Sequence, residues 1–331
     1  MRAMRLDRAA SIETAPLMRV DAEVPQPRPG EVAIAVEACG VCRTDLHIAE
    51  GEVAAPLPRI LGHQAAGRVA RVGDGVSGFA EGDAAGVGWM ARVDGSCGYC
   101  RSGRENLCAE ARFTGRDRDG GYAEVVTARA EWVYPLPSGV AALAAAPLLC
   151  AGVIGWRALK LAGIQPGCRL GLFGFGASAH LALQIALHLG CEVYAFTRGE
   201  TGRRLALEIG ARWAGGADGD PGVRLDAAVT FAPAGELVPA ALARLAPGGT
   251  VAINAIHMSP IPSMPYELVY GERVVRSVQN ATRKDALELL DLAARIPIRA
   301  EVAEYALEDA NAALRDVARG TVRGAAVLRV A

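Results

Sequence analysis

The chain has 331 residues and a formal net charge of −1, and 51% of its residues are hydrophobic against 21% charged. This length predicts two domains, because it exceeds what one core of average size accommodates. The balance of apolar and charged residues is that of a globular protein and excludes a disordered one. The near-zero net charge gives no electrostatic reason to expect nucleic acid or a membrane surface as a partner.

The first residues, Met1 to Arg8, are charged and lack the apolar segment of a signal peptide, so we expect a cytoplasmic protein. Up to about residue 140, glycines and prolines separate short runs with strand character. Val32, Ile34 and Val36 alternate with smaller or polar neighbours, as a strand with one buried face requires. We predict an irregular, largely antiparallel β region.

An uncharged stretch, Gly139 to Trp156, follows this region. Its length alone would allow a marginal membrane span, but Pro147 lies near its middle and small residues are frequent. A buried helix that changes direction is the better interpretation, and we expect no membrane partner.

From about Cys150 onward, strands alternate with helices. The predicted strands cover residues 169–173, 192–196, 226–231, 250–256 and 274–278, and the predicted helices include 177–189 and 201–209. This alternation is typical of a parallel, doubly wound sheet. Thr282 with Asp285 predicts the start of a helix that runs to about Arg295. A strand near Glu301, a helix over 308–319 and a strand over 325–330 complete the chain.

The turn between the first strand and helix of this second region reads Gly174-Phe175-Gly176-Ala177-Ser178-Ala179. The two glycines allow a tight turn and a close approach to a pyrophosphate, and the small Ala179 allows the helix to pack on the strand. The N-terminus of the helix then faces the phosphates. The pattern predicts a dinucleotide site; an ordinary glycine-rich turn is the alternative.

The end of the second strand indicates which dinucleotide is bound. A carboxylate there would bind the ribose 2′-hydroxyl of NAD, but this position reads Thr197-Arg198. Thr197 can donate a hydrogen bond and Arg198 can pair with a 2′-phosphate. NADP(H) is therefore favoured over NAD(H), although Arg198 could instead stack on adenine and accept either cofactor.

Three of the eight cysteines cluster in a short segment, and clustered thiols in a cytoplasmic protein suggest metal rather than disulfides. Two further cysteines, Cys42 and Cys150, together with His63 would neutralise Zn²⁺ and leave a fourth position open, as in a catalytic zinc site. Each of these residues taken alone is more often a core or surface residue than a ligand.

Taken together, the motifs resemble those of the zinc-dependent alcohol dehydrogenases of the medium-chain dehydrogenase/reductase superfamily. The matching pieces are the dinucleotide loop, Cys39-Gly40-Val41-Cys42-Arg43-Thr44-Asp45-Leu46-His47, Gly62-His63, Cys97-x2-Cys100-x7-Cys108 and Pro147-Leu148-Leu149-Cys150-Ala151-Gly152-Val153. Their order spans residues from about 25 to 330. The resemblance implies a GroES-like catalytic domain beside a Rossmann domain.

The same resemblance implies the ligands of a catalytic zinc: Cys42, His63 and Cys150. Asp45 would orient His63 by accepting its free N–H. The family usually has glutamate directly after the zinc-binding histidine, where this chain has Gln64. Loss of that carboxylate near the metal leaves the zinc more electropositive.

Other roles are implied for the residues around this site. Thr44 would accept the proton of the alcohol, and His47 would pass it toward solvent. Arg43 would touch the pyrophosphate of the cofactor, and Trp89 would line the substrate pocket.

The family's structural zinc lobe uses four cysteines spaced C-x2-C-x2-C-x7-C. Here Cys97, Cys100 and Cys108 occupy the last three places, and Asp94 occupies the first. A carboxylate carries the same charge as a thiolate and is an established zinc ligand. We therefore expect Asp94 to complete a structural site, which makes two zinc ions per chain; a solvated loop aspartate beside metal-free thiols is the alternative.

The family also returns its last segment to the first domain. We predict a catalytic domain over residues 1–150 with a zinc lobe at about 90–113, a dinucleotide-binding domain over 151–282, and a return to the catalytic domain over 283–331.

The predicted function is hydride transfer between a small or medium primary alcohol, or its aldehyde, and a nicotinamide cofactor. A secondary-alcohol or polyol dehydrogenase on the same scaffold is the enzymatic alternative, although Cys150 as third ligand disfavours the polyol branch, where the family often has glutamate. A non-catalytic cofactor-binding protein is a further alternative, and it would not need Cys42, Thr44 and His47 together. A homo-oligomer, a dimer or tetramer, is expected from the relatives.

Overall fold

The computed structural model describes all of residues 1–331, and the chain divides into two compact units. The first unit contains Met1–Ala151 and Asn280–Ala331, and the second contains Gly152–Gln279. The chain enters the first unit again at Asn280, three residues before the position expected from sequence. Asn280 is held there because its amide nitrogen donates to Asn106 O at 3.1 Å and its Oδ1 accepts from Trp89 Nε1 at 3.1 Å.

The N-terminal part of the first unit is rich in short strands. In chain order its elements are β1 (Arg2–Leu6), β2 (Leu17–Asp21), β3 (Glu31–Gly40), α1 (Arg43–Ala49), β4 (Arg59–Ile60), β5 (Ala65–Val72), β6 (Ala84–Val87), β7 (Met90–Arg92), α2 (Gly98–Arg101), β8 (Arg112–Phe113), β9 (Val125–Arg129), β10 (Val133–Pro135) and α3 (Ala142–Ala145). These elements confirm the predicted irregular β region.

The second unit alternates strands and helices. Its elements, with the helix α4 that leads into it, are α4 (Ala151–Ala162), β11 (Arg169–Phe173), α5 (Ala177–His188), β12 (Glu192–Phe196), α6 (Glu200–Ile209), β13 (Trp213–Gly215), β14 (Leu225–Thr230), α7 (Leu237–Arg244), β15 (Leu245–Ile253) and β16 (Val274–Ser277). The chain then returns to the first unit through α8 (Arg283–Arg295), β17 (Val302–Ala306), α9 (Ala310–Arg319) and β18 (Ala325–Arg329).

The largest sheet of the first unit has the order β10-β6-β5-β3-β18-β17, and β9 also pairs with β3. All of its pairs are antiparallel except β17 with β18. The alternating residues Val32, Ile34 and Val36 of β3 are buried in the core, as predicted. The C-terminal strand β18 pairs directly with β3, so the end of the chain completes the sheet that carries the N-terminal residues.

The second unit has one parallel sheet with the order β13-β12-β11-β14-β15-β16. The strand order reverses between β11 and β14, which is the doubly wound arrangement of dinucleotide-binding domains. Strands β11 and β12 have the predicted bounds. Strand β15 begins five residues earlier than predicted, because Leu245 pairs with Leu225 before the register shifts.

The predicted start of α8 is confirmed. The Thr282 side chain accepts from Asp285 N at 3.1 Å, and the Asp285 carboxylate accepts from Thr282 N at 2.7 Å. These reciprocal bonds satisfy two of the amide groups that a helix leaves free at its first turn.

The uncharged segment folds as predicted, into a helical region that changes direction. No helix of the structure is both long and apolar enough to cross a bilayer by itself, and only the bent pair Ala142–Leu149 with Ala151–Ala162 meets the requirements of length and composition.

The dinucleotide loop contains two glycines in different environments, which gives a matched test. Gly174 has a φ of +93°, and a Cβ added there would lie 2.6 Å from Ala232 N, whereas a Cβ on Gly176 would meet nothing within 4 Å. We expect Gly174→Ala to destabilise the second unit by about 2 kcal/mol through backbone strain, with little change for Gly176→Ala. Scanning calorimetry measures both, and equal melting temperatures would refute the assignment of strain to Gly174.

Candidate active site

Helix α1 positions the first group of candidate residues. Cys42 precedes it as the N-cap, with Sγ accepting from Thr44 N at 3.5 Å, while Asp45 accepts from Cys42 N at 2.9 Å. This capping box fixes the direction in which α1 leaves β3. These bonds within the protein therefore define the positions of Cys42, Asp45 and the rest of α1 without any ligand.

Three predicted metal ligands come together in the first unit. The candidate ligand atoms of Cys42, His63 and Cys150 all lie within 4.8 Å of one another. His63 is fully buried, and both cysteines are half-buried. Two thiolates and one imidazole are a donor set that zinc prefers.

His63 has a fixed orientation. Its Nδ1 is hydrogen-bonded to Asp45 Oδ1 at 3.1 Å, while its Nε2 is buried and has no hydrogen-bond partner. A buried polar atom without a partner is costly unless a ligand satisfies it. The atom belongs to the Cys42–His63–Cys150 cluster, so the residues present fit a metal ion there.

The groups of the cluster shift one another's pKa values. A hydrogen bond with Cys150 lowers the pKa of Cys42 well below its usual value, while the same bond and burial raise the pKa of Cys150. Burial disfavours the charged form of His63, but the charge and hydrogen bond of Asp45 outweigh this effect and raise the pKa of His63 to about 10.

The two predicted proton-transfer residues lie three positions apart on α1, and such residues share one face of a helix. Thr44 Oγ1 is 3.7 Å from Cys42 Sγ, which places the hydroxyl beside the cluster. The His47 side chain is largely buried. Arg43, which directly precedes Thr44, donates to Val317 O of α9 at 2.8 Å. Its contact with a cofactor stays a prediction.

Trp89 lies against the cluster. Its ring packs edge-on to His63 with 4.9 Å between centroids and stacks on Phe113 at 4.6 Å. Its Nε1 donates to Asn280, which fixes the indole plane. An indole in contact with a candidate metal ligand is well placed to line a substrate pocket.

Gln64 is buried directly after His63. Its backbone carbonyl accepts from Gly40 N at 3.0 Å, and its side chain packs so closely on Gly40 that a Cβ added there would lie 2.9 Å from Gln64 Cδ. The backbone around the candidate metal ligands is therefore tightly packed on β3.

A second cluster lies in the lobe between β7 and β8. Ligand atoms of Asp94, Cys97, Cys100 and Cys108 all lie within 4.8 Å of one another. Hydrogen bonds from the backbone N–H groups of Cys97 and Ser96 hold the pKa of the Asp94 carboxyl well below its usual range. Asp94 is therefore anionic and points toward the three thiols, as the spacing predicted.

The dinucleotide loop has the expected local structure in the second unit. Gly176 caps α5, and the small residue Ala179 is fully buried. Ser178 O faces Gly155 of α4, where an added Cβ would lie 3.2 Å away. His180 is buried, and its Nδ1 is hydrogen-bonded to Gly176 O at 3.2 Å.

At the end of β12, Thr197 N donates to Gly215 O at 2.7 Å, and Arg203 Nε donates to Thr197 O at 2.9 Å. Arg198 is exposed, with no hydrogen bond or ion pair to another residue. No carboxylate occupies this strand end, in agreement with the sequence.

Similarity to known proteins identifies the family. Residues 28–138 match the alcohol dehydrogenase GroES-like domain. The whole chain is 46% identical over 337 residues to a Mycobacterium tuberculosis protein described as "Probable alcohol dehydrogenase AdhA", covering 97% of it. The chain belongs to the alcohol dehydrogenases of the medium-chain dehydrogenase/reductase superfamily. The predicted GroES-like and Rossmann folds are confirmed.

Solved structures of alcohol dehydrogenases agree over the full length. One described as an NAD-dependent alcohol dehydrogenase superposes with a TM-score of 0.92 at 26% identity, with each chain completely covered. A thermostable alcohol dehydrogenase from Pyrobaculum aerophilum, described as cobalt- and zinc-bound, superposes with a TM-score of 0.90 at 27% identity, with 100% of this chain and 99% of that one covered. A small-molecule alcohol or aldehyde substrate and a nicotinamide cofactor belong to this activity.

Two residues of this alcohol dehydrogenase were missed by sequence analysis. The Tyr122 hydroxyl donates to Asp45 Oδ2 at 3.2 Å in the interior. The Glu52 carboxylate is hydrogen-bonded to His47 Nδ1. Neither contact has a sequence signal, since the first joins distant segments and the second joins residues five positions apart, which no regular helix brings together.

Asp45 accepts four hydrogen bonds in the interior, and its replacement tests how the alcohol dehydrogenase holds this site together. Asp45→Asn leaves at least one buried donor without an acceptor, so we expect a loss of about 2 kcal/mol or more in unfolding free energy. Tyr122→Phe removes only one of the four bonds and should cost about 1 kcal/mol. Denaturant unfolding ranks the two variants; an Asp45→Asn protein as stable as Tyr122→Phe would contradict this account.

Proposed function

We propose that this alcohol dehydrogenase is zinc-dependent and interconverts small or medium primary alcohols and their aldehydes. The observation that carries the proposal is the buried Nε2 of His63, which has no hydrogen-bond partner and lies among two cysteine thiols. The zinc named for the Pyrobaculum aerophilum relative supports the choice of metal.

Cys42, His63 and Cys150 would hold the catalytic zinc. Two thiolates offset the charge of Zn²⁺, and three protein ligands leave one position for the substrate oxygen. When bound, the metal supplies Lewis-acid chemistry that lowers the pKa of the alcohol, and the nicotinamide carries the hydride.

The protein's own residues then handle the proton and the substrate. Thr44, with its hydroxyl beside Cys42 Sγ, would accept the proton of the alcohol. His47 on the same face of α1 would pass that proton toward solvent. The Trp89 indole would provide an apolar wall against the carbon chain of the substrate.

We propose a second, structural zinc held by Asp94, Cys97, Cys100 and Cys108. The four ligand atoms are close together, and the aspartate is anionic. Four protein ligands leave no coordination position open, as is usual in structural zinc sites. Because structural zinc contributes folding free energy, this site would stabilise the lobe between β7 and β8.

Metal analysis together with activity separates the two sites. The wild-type protein should contain two zinc ions per chain. Cys42→Ser should retain one and lose alcohol oxidation, because its remaining zinc is structural. Asp94→Ala should also retain one but keep oxidising alcohol, with a lower melting temperature, while Asp94→Cys restores the second zinc. Full activity in metal-depleted Cys42→Ser, or two zinc ions in Asp94→Ala, would contradict the respective assignment.

We also propose that NADP(H) is preferred over NAD(H). Arg198 is exposed at the end of β12, where NAD-binding domains usually carry a carboxylate that binds the ribose 2′-hydroxyl. Arg198→Ala should raise KM for NADPH about tenfold or more, since it removes a charge-assisted bond to the 2′-phosphate, and leave KM for NADH unchanged. Arg204→Ala, an exposed arginine on α6, is the matched control. A wild-type kcat/KM that is higher with NADH refutes the preference.

A further inference from the structure

The Trp89 side chain makes apolar contacts with two neighbouring rings. It stacks on Phe113 with 4.6 Å between centroids and an interplanar angle of 13°, and it packs edge-on to His63 at 4.9 Å. Its backbone carbonyl accepts from Thr114 N at 2.9 Å. These contacts fix the backbone and the stacking distance, but a ring can slide and turn on a flat apolar neighbour. The orientation of the indole therefore depends on its one polar group, Nε1–H.

The Asn280 side chain binds this N–H group and is itself held by a second bond. Its Oδ1 accepts from Trp89 Nε1 at 3.1 Å, and its Nδ2 donates to Asn106 O at 3.1 Å. An indole nitrogen only donates and a carbonyl oxygen only accepts, so an amide, which has an acceptor and a donor group, satisfies both. All three residues belong to the first unit. The amide thus connects the indole to the backbone of the lobe between β7 and β8.

The backbone of Asn280 has a conformation that few residues adopt. Its φ is +50°, in the left-handed region, where asparagine is enriched several-fold among residues with a Cβ. Glycine would adopt this conformation without strain, but it has no side chain to reach Trp89 and Asn106. Position 280 therefore requires a left-handed backbone together with a short side chain that both donates and accepts. Asparagine meets both requirements.

The other end of this connection lies in the lobe that contains the second cysteine cluster. Asn106 is buried, and it precedes Cys108 by two positions. Trp89 packs against the cluster of buried residues that includes Met90 and Cys108. The indole is therefore attached to the lobe twice, by this apolar contact and by the two hydrogen bonds of Asn280.

We propose that Asn280 is a positioning residue that determines how well this alcohol dehydrogenase accepts unbranched primary alcohols of medium chain length. By holding the indole in one orientation, it presents a preformed apolar wall to the carbon chain of the substrate. A mobile ring would lose freedom when the chain binds, and an ordered ring avoids that cost. The inference rests on the proposed function, because it requires Trp89 to line the substrate pocket.

The orientation of the indole can be observed without turnover. The chain has four tryptophans, so the full-length protein with ¹⁵N-labelled tryptophan gives four indole N–H signals, and Trp89→Phe assigns one of them. Asn280→Gly preserves the left-handed backbone but removes the acceptor. In this variant the Trp89 signal should move upfield, and its proton should exchange faster with water. In Asn280→Asp the carboxylate still accepts from the indole, so the signal should keep its hydrogen-bonded position.

Kinetics provide the second measurement. Asn280→Gly should raise KM for 1-hexanol about 3- to 10-fold, the factor that corresponds to ordering one large side chain on binding, and leave kcat unchanged. A merely structural role would lower kcat for 1-hexanol and ethanol alike, in proportion to the folded fraction. Asn280→Asp should keep most of the preference for 1-hexanol. In a Trp89→Phe background, Asn280→Gly should have no further effect on KM, because phenylalanine has no N–H group.

Asn311→Gly is the matched control. The Asn311 side chain also makes two hydrogen bonds, accepting from Leu17 N at 3.1 Å and donating to Leu17 O at 2.8 Å. These bonds join α9 to β2 and involve no residue of the candidate active site. The substitution should lower the melting temperature without changing the ratio of kcat/KM for 1-hexanol and ethanol. An equal change of this ratio in Asn311→Gly and Asn280→Gly would overturn the positioning role.

The outcomes separate this inference from the proposed function. An unchanged Trp89 signal in Asn280→Gly, or an unchanged KM for 1-hexanol, overturns the positioning role alone when the wild type oxidises this alcohol. A loss of preference as large in Asn280→Asp as in Asn280→Gly, or a further rise of KM in the Trp89→Phe background, overturns it too. A wild-type protein that oxidises no primary alcohol overturns the proposed function and the role of Asn280 together, whatever the NMR shows.

Discussion

The carboxylate of Asp45 is fully buried, and a charge in that position is tolerated only when hydrogen bonds replace the water it has lost. It accepts from Cys42 N and Gly62 N, from the His63 ring and from the Tyr122 hydroxyl. These donors come from the start of α1, the loop before β5 and the segment before β9. One buried charge therefore joins three parts of the chain that the backbone alone would leave independent.

The candidate active site depends on this arrangement in two ways. Asp45 fixes the cap of α1 through Cys42, so the thiol and the hydroxyl of Thr44 are presented together. It also fixes His63, with Nδ1 turned toward the carboxylate and Nε2 toward the cysteines. The packing is close: a Cβ added at Gly62 would lie 2.3 Å from the Tyr122 ring. Rigid support of this kind keeps candidate ligands in place before a metal is bound.

The two histidines of the site have the same kind of hydrogen-bond partner. Each has its Nδ1 hydrogen-bonded to a carboxylate, His63 to Asp45 and His47 to Glu52, and each has a buried Nε2. The difference lies in exposure: Asp45 is inside the protein, while Glu52 is half in solvent.

The local features of the chain could be predicted from its sequence. The alternation of strands and helices, the dinucleotide loop and the capping box of α8 all follow from bonds and spacings within a few residues. The spacing of Asp94 with three cysteines likewise indicated one cluster in a single loop. Helix α1 was not predicted, because it has only seven residues and its N-cap is a cysteine, a residue with little N-cap preference.

Contacts between residues that are distant in sequence could not be predicted in this way. Cys150 joins Cys42 and His63, Tyr122 reaches Asp45, and Asn280 fixes Trp89. Such contacts depend on how the sheet of the first unit packs and on the return of β18 to β3. Hydrophobic periodicity specifies which face of an element is buried, but it does not specify which residues meet across the core. Glu52 and His47 are only five positions apart, yet their contact depends on the left-handed backbone conformation of Gly51.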